Sequence, residues 1–212
     1  MTNETNVRWT LQSFCNGRFV DGEGESLTVQ NPATEEIVAR GNVLSPSQLD
    51  ATMRAARSAF DSGSWRDGAV RRTALLRLAE LVQGAETALT ESLVSEIGTP
   101  ASLCASFHVP ACVAMLRYFA EQSVVDRTVM LGRDERTPVS EAIIRYEPIG
   151  VVVAIGAYNS PLWMLGAKAG AALAAGCSVI FMSSPLAPIT AMLFAELARQ
   201  ANIPSGVFNV VL

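Results

Sequence analysis

The sequence predicts an α/β protein in which short antiparallel strands and helices lead into a parallel βαβαβ sheet. Two observations carry this. From position 149 onward, three apolar runs rich in β-branched residues (149–155, 178–181 and 207–212) alternate with two helical stretches (161–175 and 188–200). That pattern suits right-handed crossovers on a parallel sheet whose strands are buried on both faces. Before that point, apolar residues recur at helical spacing between clear start and stop signals. Half of the 212 residues are hydrophobic and only 17% are charged, so the chain can bury a large core, and wholesale disorder is excluded.

Residues 14–20 (FCNGRFV) predict a strand–turn–strand with Asn16-Gly17 as the turn. Residues 27–30 and 36–39 flank a second turn, Asn31-Pro32-Ala33-Thr34, and antiparallel pairing is expected throughout this opening. Ser45-Pro46-Ser47-Gln48 is a capping box with proline at the first helical position. Behind it Leu49, Met53, Ala56 and Phe60 make one apolar stripe, and Gly63 ends the helix. Asp67 caps the next helix, whose buried face is Leu75, Leu78, Leu81, Val82, Leu89 and Leu93, until Gly98 and Pro100 stop it. A third helix over 102–122 must break or kink near Pro110. Residues 124–131 and 142–146 are strand-like and predict a projecting hairpin with Arg127, Arg133 and Arg136 exposed. In the βαβαβ part, Gly176 caps the first helix. A parallel sheet ending at 207–212 leaves an unpaired hydrophobic edge there, which more chain or a partner is expected to cover.

Sixteen basic against 20 acidic side chains give a net charge of −4, which argues against a phosphate-neutralising nucleic-acid binder. The four cysteines at 15, 104, 112 and 177 and the single histidine, His108, match neither a metal site nor a disulfide framework. Residues 1–9 are polar, with no apolar signal core, so a reducing cytoplasm is expected. The uncharged run 169–195 has the length of a membrane helix. Pro185 and Pro188 interrupt it, and Ser178, Ser183 and Ser184 cluster beside them, so no membrane association is expected. Gly166 and Gly170 form a GxxxG that close helix–sheet packing explains as well as a membrane dimer does.

Ligands of open parallel sheets bind beyond the carboxyl ends of the strands, which points to the loops 156–161 and 182–188. Asn159 falls at the mouth of a helix N-terminus, where its amide can donate to an oxyanion or serve only as a helix cap. The first βα turn reads Gly156-Ala157-Tyr158-Asn159, without the usual dinucleotide fingerprint. No nucleophile with a base can be assembled. His108 lies in an apolar stretch, the cysteines are expected to be buried, and Cys177 structural. Glu91, Glu96 and Glu121 are expected to be solvated helix charges, and Arg71, Arg72 and Arg77 a helix surface with local ion pairs. Lys168, the only lysine, sits where a Schiff-base amine would want to be and where a snorkelling structural lysine would too.

Tyr158-Asn159-Ser160-Pro161-Leu162, then Lys168, then Ala172-Leu173-Ala174-Ala175-Gly176 resemble the N-terminal half of the NAD(P)-dependent aldehyde dehydrogenase superfamily. The family pattern there is W-N-F-P-L, K, P-A-L-A-A-G-N and K-P-S-E-x-T-P. Asn16-Gly17 with Phe19-Val20, Asn31-Pro32-Ala33-Thr34, Trp65-Arg66, Leu116-Arg117-Tyr118, Glu147-Pro148-Ile149-Gly150 and Gly206-Val207-Phe208-Asn209 agree with the same family in order, over nearly the whole chain.

The resemblance implies an aldehyde-dehydrogenase-like architecture. Residues 1–123 would hold the N-terminal strands and helices of the cofactor domain, 124–147 an oligomerisation hairpin, and 148–212 an incomplete, truncated Rossmann-like βαβαβ unit, with the catalytic domain absent. It implies oxidation of an aldehyde substrate to an acid through a cysteine thiolate and a glutamate that match no residue here, so activity of these 212 residues alone is not expected. It gives Asn159 the oxyanion role. It routes NAD or NADP over Ile155, Gly156, Ala157, Tyr158 and Asn159, and over Met182, Ser184 and Pro185. Met182 and Pro185 replace the family's lysine and glutamate, and a methionine cannot make the ribose hydrogen bonds a lysine makes. A homo- or hetero-oligomer through the hairpin is implied. The alternative reading is a degenerate, non-catalytic homologue acting as a subunit or interaction partner.

Overall fold

A computed structural model of the chain describes residues 7–135 and 140–212. Arg136, expected on the hairpin, lies outside them. The strands are β1 (Trp9–Leu11), β2 (Ser13–Cys15), β3 (Arg18–Val20), β4 (Ser26–Gln30), β5 (Ile37–Asn42), β6 (Val129–Asp134), β7 (Ser140–Ile144), β8 (Val151–Ile155), β9 (Ser178–Met182) and β10 (Phe208–Val211). The helices are α1 (Pro46–Asp61), α2 (Gly68–Gly84), α3 (Glu86–Ile97), α4 (Ala101–Gln122), α5 (residues 161–174) and α6 (Pro188–Gln200).

The main sheet runs β3-β2-β10-β9-β8, and β8, β9 and β10 are parallel with α5 and α6 as crossovers. The predicted βαβαβ unit is therefore present. Its edge is not where the sequence put it. The hairpin β2–β3, turned by Asn16 and Gly17 at positive φ, lies antiparallel against β10. Among the described residues the open edge of the parallel part is β8, where Val153 and Ile155 are each 57% exposed, and β3 forms the sheet's other edge. A continuous apolar run thus corresponds here to an edge strand with one open face, not to a doubly buried one. In the smaller sheet β4 pairs antiparallel with β5, but β1 joins β5 in parallel, against the all-antiparallel expectation.

Side chains alternate across the main sheet with the period of two that a pleat imposes. Val179, Phe181, Phe208 and Val210 face the large core beneath α2, α4, α5 and α6. Ile180 and Val211 face Ala56 of α1 on the other side. The capping box of α1 forms as expected: the Gln48 amide donates to Ser45 Oγ, and the Ser45 amide to Gln48 Oε1 at 3.0 Å. Its buried stripe is Thr52, Ala56 and Ala59, however, while Leu49 and Met53 are 38% and 49% exposed. The helix lies so close to the sheet side that a Cβ on Gly206 would come within 2.9 Å of Ala59 Cβ. Only small residues fit that contact, and the larger ones turn outward.

The single helix expected from Asp67 to Gly98 is two. The chain leaves helical geometry at Ala85, after Gly84, a poor helix former. Leu89 and Leu93 remain fully buried, now on a helix that packs against α6. Helix α4 contains a π turn at Cys104–His108, where the Val109 amide donates to Cys104 O. The extra residue absorbs the break that Pro110 demands. A second π turn, Leu165–Ala169, interrupts α5. Gly166 and Gly170 face Cys112, Leu116 and Phe119 of α4, so their GxxxG serves helix–helix rather than helix–sheet packing. The uncharged run 169–195 divides into the end of α5, β9 and the start of α6. Helix α4 is itself long and apolar enough to cross a membrane, but Cys112, Val113, Leu116 and Ala120 on it are buried in the protein core. The β6–β7 hairpin starts at Val129, later than expected, and exposes Met130, Leu131, Ile143 and Ile144; Arg133 faces Glu141 at 3.6 Å.

Candidate active site at the carboxyl edge of the parallel sheet

Ile155, Met182 and Val211 end three neighbouring strands in register. The Gly156 amide donates to Met182 O at 2.9 Å, and the Ser183 amide to Val211 O at 3.0 Å. The turns 156–160 and 183–187 therefore leave the sheet side by side. Gly156 lies on the Phe181 ring: a Cβ there would sit 2.5 Å from its Cζ, so only glycine lets the first turn take this path. Lys168 reaches back along α5, and its Nζ donates to Ile155 O at 2.7 Å. Its amine is a brace on the end of β8, which favours the structural reading over the Schiff-base one.

Asn159 is exposed in the turn before α5. The cap position belongs to Ser160, which makes no side-chain cap bond, so the cap reading of Asn159 does not hold. Among the described residues its carboxamide has no hydrogen-bond partner. Ala157 and Tyr158 are exposed beside it. Across from them Met182 and Pro185 are exposed, and Ser184 Oγ accepts from the Leu186 amide at 3.2 Å. A cleft of about 500 Å³ runs between Tyr158, Leu186, Pro32 and Ile97, with Glu96 in its wall.

Glu96 corrects the reading of it as a solvated charge. It is buried; Oε2 accepts from the Ile189 amide at 2.7 Å, and Oε1 from the Thr190 amide at 3.1 Å and from the Thr190 hydroxyl. Burial pushes its carboxyl up to about 7 against the pull of those three donors. No local signal marked it, because its partners lie 93 and 94 residues away. Arg71 is a second correction. Half-buried, it donates to Ala174 O at 2.9 Å, Ser123 O at 3.1 Å and Trp65 O at 3.1 Å, tying helix C-termini together rather than making a surface ion pair. Arg72 with Glu121 and Arg77 with Glu80 are the surface pairs. All four cysteines are buried and unpaired, and burial pushes the Cys112 thiol up to about 12, so it is no thiolate at neutral pH. His108 is buried, its Nδ1 without a partner, and burial lowers its pKa.

The sequence profile of the aldehyde dehydrogenase family matches residues 19–212. The chain belongs to the aldehyde dehydrogenase family. Aminoacetaldehyde dehydrogenase from Pseudomonas aeruginosa is 41% identical over 207 residues, which cover 94% of this chain and 40% of that protein. Cytosolic 10-formyltetrahydrofolate dehydrogenase from Homo sapiens is 32% identical over 214 residues, 99% of this chain and 24% of that protein. Among solved structures, aldehyde dehydrogenase C from Pseudomonas syringae, complexed with NAD+ and octanal, superposes with a TM-score of 0.86 at 30% identity, covering 100% of this chain and 42% of that one. The NAD+ complex of an aldehyde dehydrogenase from Bacillus cereus gives 0.86 at 32% identity, covering 95% and 41%. The chain thus corresponds to the N-terminal part of a family member and spans 40% of the length of the Pseudomonas aeruginosa relative.

Proposed function

We propose that this chain supplies the cofactor-side half of an NAD(P)-dependent aldehyde dehydrogenase, and that Asn159 is its contribution to the chemistry. The observation that carries this is the Asn159 carboxamide: exposed, without a partner among the described residues, and set where two strand-end turns meet at the mouth of α5. When a nucleophile adds to an aldehyde, the carbonyl oxygen takes on negative charge. A preorganised N–H donor at that point favours the adduct over the free aldehyde. The nucleophile comes from elsewhere, since the four cysteines here are buried and a reactive thiolate must be accessible.

A polypeptide of these 212 residues is therefore expected to show no aldehyde-dependent reduction of NAD+ or NADP+. Fused to the remaining part of the Pseudomonas aeruginosa relative, it should gain that activity, read as nicotinamide absorbance with aminoacetaldehyde and octanal as probes. A well-folded fusion that stays inert with both would overturn the proposal.

The residues at the second turn do not fit a tightly held cofactor ribose. Met182 offers a thioether and Pro185 no polar side-chain atom; the Ser183 hydroxyl is buried and donates to Ala187 O at 3.1 Å, which leaves the Ser184 hydroxyl. Met182→Lys should raise nucleotide affinity about 10- to 100-fold, because a hydrogen bond to a charged group contributes about 1.5–3 kcal/mol. Calorimetric titration with NAD+ and NADP+ reads this, and an unchanged Kd would show that the turn does not face the ribose. The β6–β7 ribbon, apolar and exposed, is proposed to lie against another copy or subunit, since an isolated two-stranded ribbon is marginal in water. The unpaired thiols suit a reducing compartment, and the cytoplasm is the proposed location.

A further inference from the structure

Helix α3 ends against the first turn of α6, and three side chains fill that contact. Ser92 and Thr190 are fully buried and Glu96 nearly so. Four oxygens are linked one to the next: Glu96 Oε1 meets Thr190 Oγ1, Thr190 Oγ1 is 2.8 Å from Ser92 Oγ, and Ser92 Oγ is 2.9 Å from Leu89 O. That makes three contacts, and each hydroxyl has one hydrogen to give. With Glu96 ionised, two hydrogens serve three contacts, and one buried oxygen pair is left without a proton between them. With Glu96 protonated, three hydrogens serve three contacts: Glu96 donates to Thr190, Thr190 to Ser92 and Ser92 to Leu89 O. Each carboxyl oxygen keeps a lone pair for the Ile189 and Thr190 amides.

We propose that Glu96, Thr190 and Ser92 form a proton-loaded latch between α3 and α6, tightest when Glu96 carries a proton and looser when it does not. The latch holds the two amides that open α6, directly after the turn 183–187, so its state sets how firmly that turn is anchored. It stands whether or not the chain binds a nucleotide, because its readouts need none.

The proton comes off Glu96 near neutral pH, since burial raises its carboxyl to about 7. The titratable groups around it are Glu35 and Tyr158 along the cleft, and Cys104 and His108 on the π turn packed against α3. Its own helix carries Glu86 and Glu91, and α6 carries Glu196 and Arg199 toward its far end. The upward shift comes from burial, the three hydrogen bonds oppose it, and no counter-charge enters. The folded value lies above the ordinary 4.5, so the folded state holds the proton more tightly than the unfolded one. Stability from this group is full below about 4.5 and is lost as pH rises to about 7, by up to roughly 300-fold in the unfolding constant.

The test is urea unfolding of the 212-residue polypeptide across that pH window, together with the infrared carbonyl band of a protonated buried carboxylic acid. Wild type should show the band at mildly acid pH and lose stability as the band disappears. Glu96→Gln, which cannot titrate, should lack the band and the associated pH slope; the His108 titration is common to both and drops out of the difference. Ser92→Ala removes the acceptor that the Thr190 hydrogen uses when Glu96 is protonated and leaves its donation to the ionised carboxylate intact, so the ionised form gains relative to the protonated one. The band midpoint should fall by about one pH unit. Parallel stability curves for wild type and Glu96→Gln, or an unmoved midpoint in Ser92→Ala, would overturn the proposal. Should Glu96→Gln fail to fold, the Ser92→Ala midpoint decides alone.

Discussion

Trp65→Ala is expected to lower the unfolding free energy by about 3–5 kcal/mol, the cost of deleting a large buried aromatic and leaving its cavity. Trp65 is among the largest fully buried side chains, and its Nε1–H donates to Leu173 O at 2.8 Å. The last carbonyls of a helix lack partners within it. Trp65 and Arg71 provide them for α5, at Leu173 and Ala174. The same helix starts beside Asn159, so its anchoring at one end fixes the turn at the other. Trp65→Phe keeps most of the packing and loses the N–H, and should cost about 1–2 kcal/mol. Urea midpoints with unchanged m-values measure both. Equal losses in the two variants would show that the hydrogen bond, not the ring, holds α5 in place.

The parts of this fold that were legible in the sequence are those decided by local chemistry. The Ser45–Gln48 box, the Asp67 cap and the left-handed glycines at 17, 63, 98 and 176 each act on residues a few positions away, and each lies where it was read. The misreadings share a cause: the deciding contact is remote. Nothing in the run 149–155 tells an edge strand from a central one, because that depends on where β2 docks. Leu49 and Met53 looked like the buried stripe of α1 because they are the larger apolar residues. The sheet required the smaller Thr52, Ala56 and Ala59. Glu96 was read as solvated since nothing nearby in sequence announces Ile189 and Thr190. At the candidate site, the two turns could be located from strand order alone. The distinction between cap and free donor at Asn159 could not, because it depends on which of Asn159 and Ser160 takes the cap position before Pro161, and the structure gives it to Ser160.

That distinction gives Asn159 a prediction of its own. In the fusion that carries a nucleophile, Asn159→Ala should lower kcat by about 10²–10³, the measured weight of one oxyanion donor. KM should change little, because a donor aimed at developing charge acts on the transition state more than on the bound aldehyde. Stability should be untouched, since the side chain is exposed and has no partner to lose among the described residues. Asn159→Asp should be at least as damaging, for a carboxylate beside an oxyanion repels it and donates nothing. Ser160→Ala, which alters the neighbouring cap position without touching the carboxamide, should leave kcat nearly unchanged. A helix cap predicts the opposite ordering: stability lost in Asn159→Ala, with kcat falling only as far as unfolding takes it.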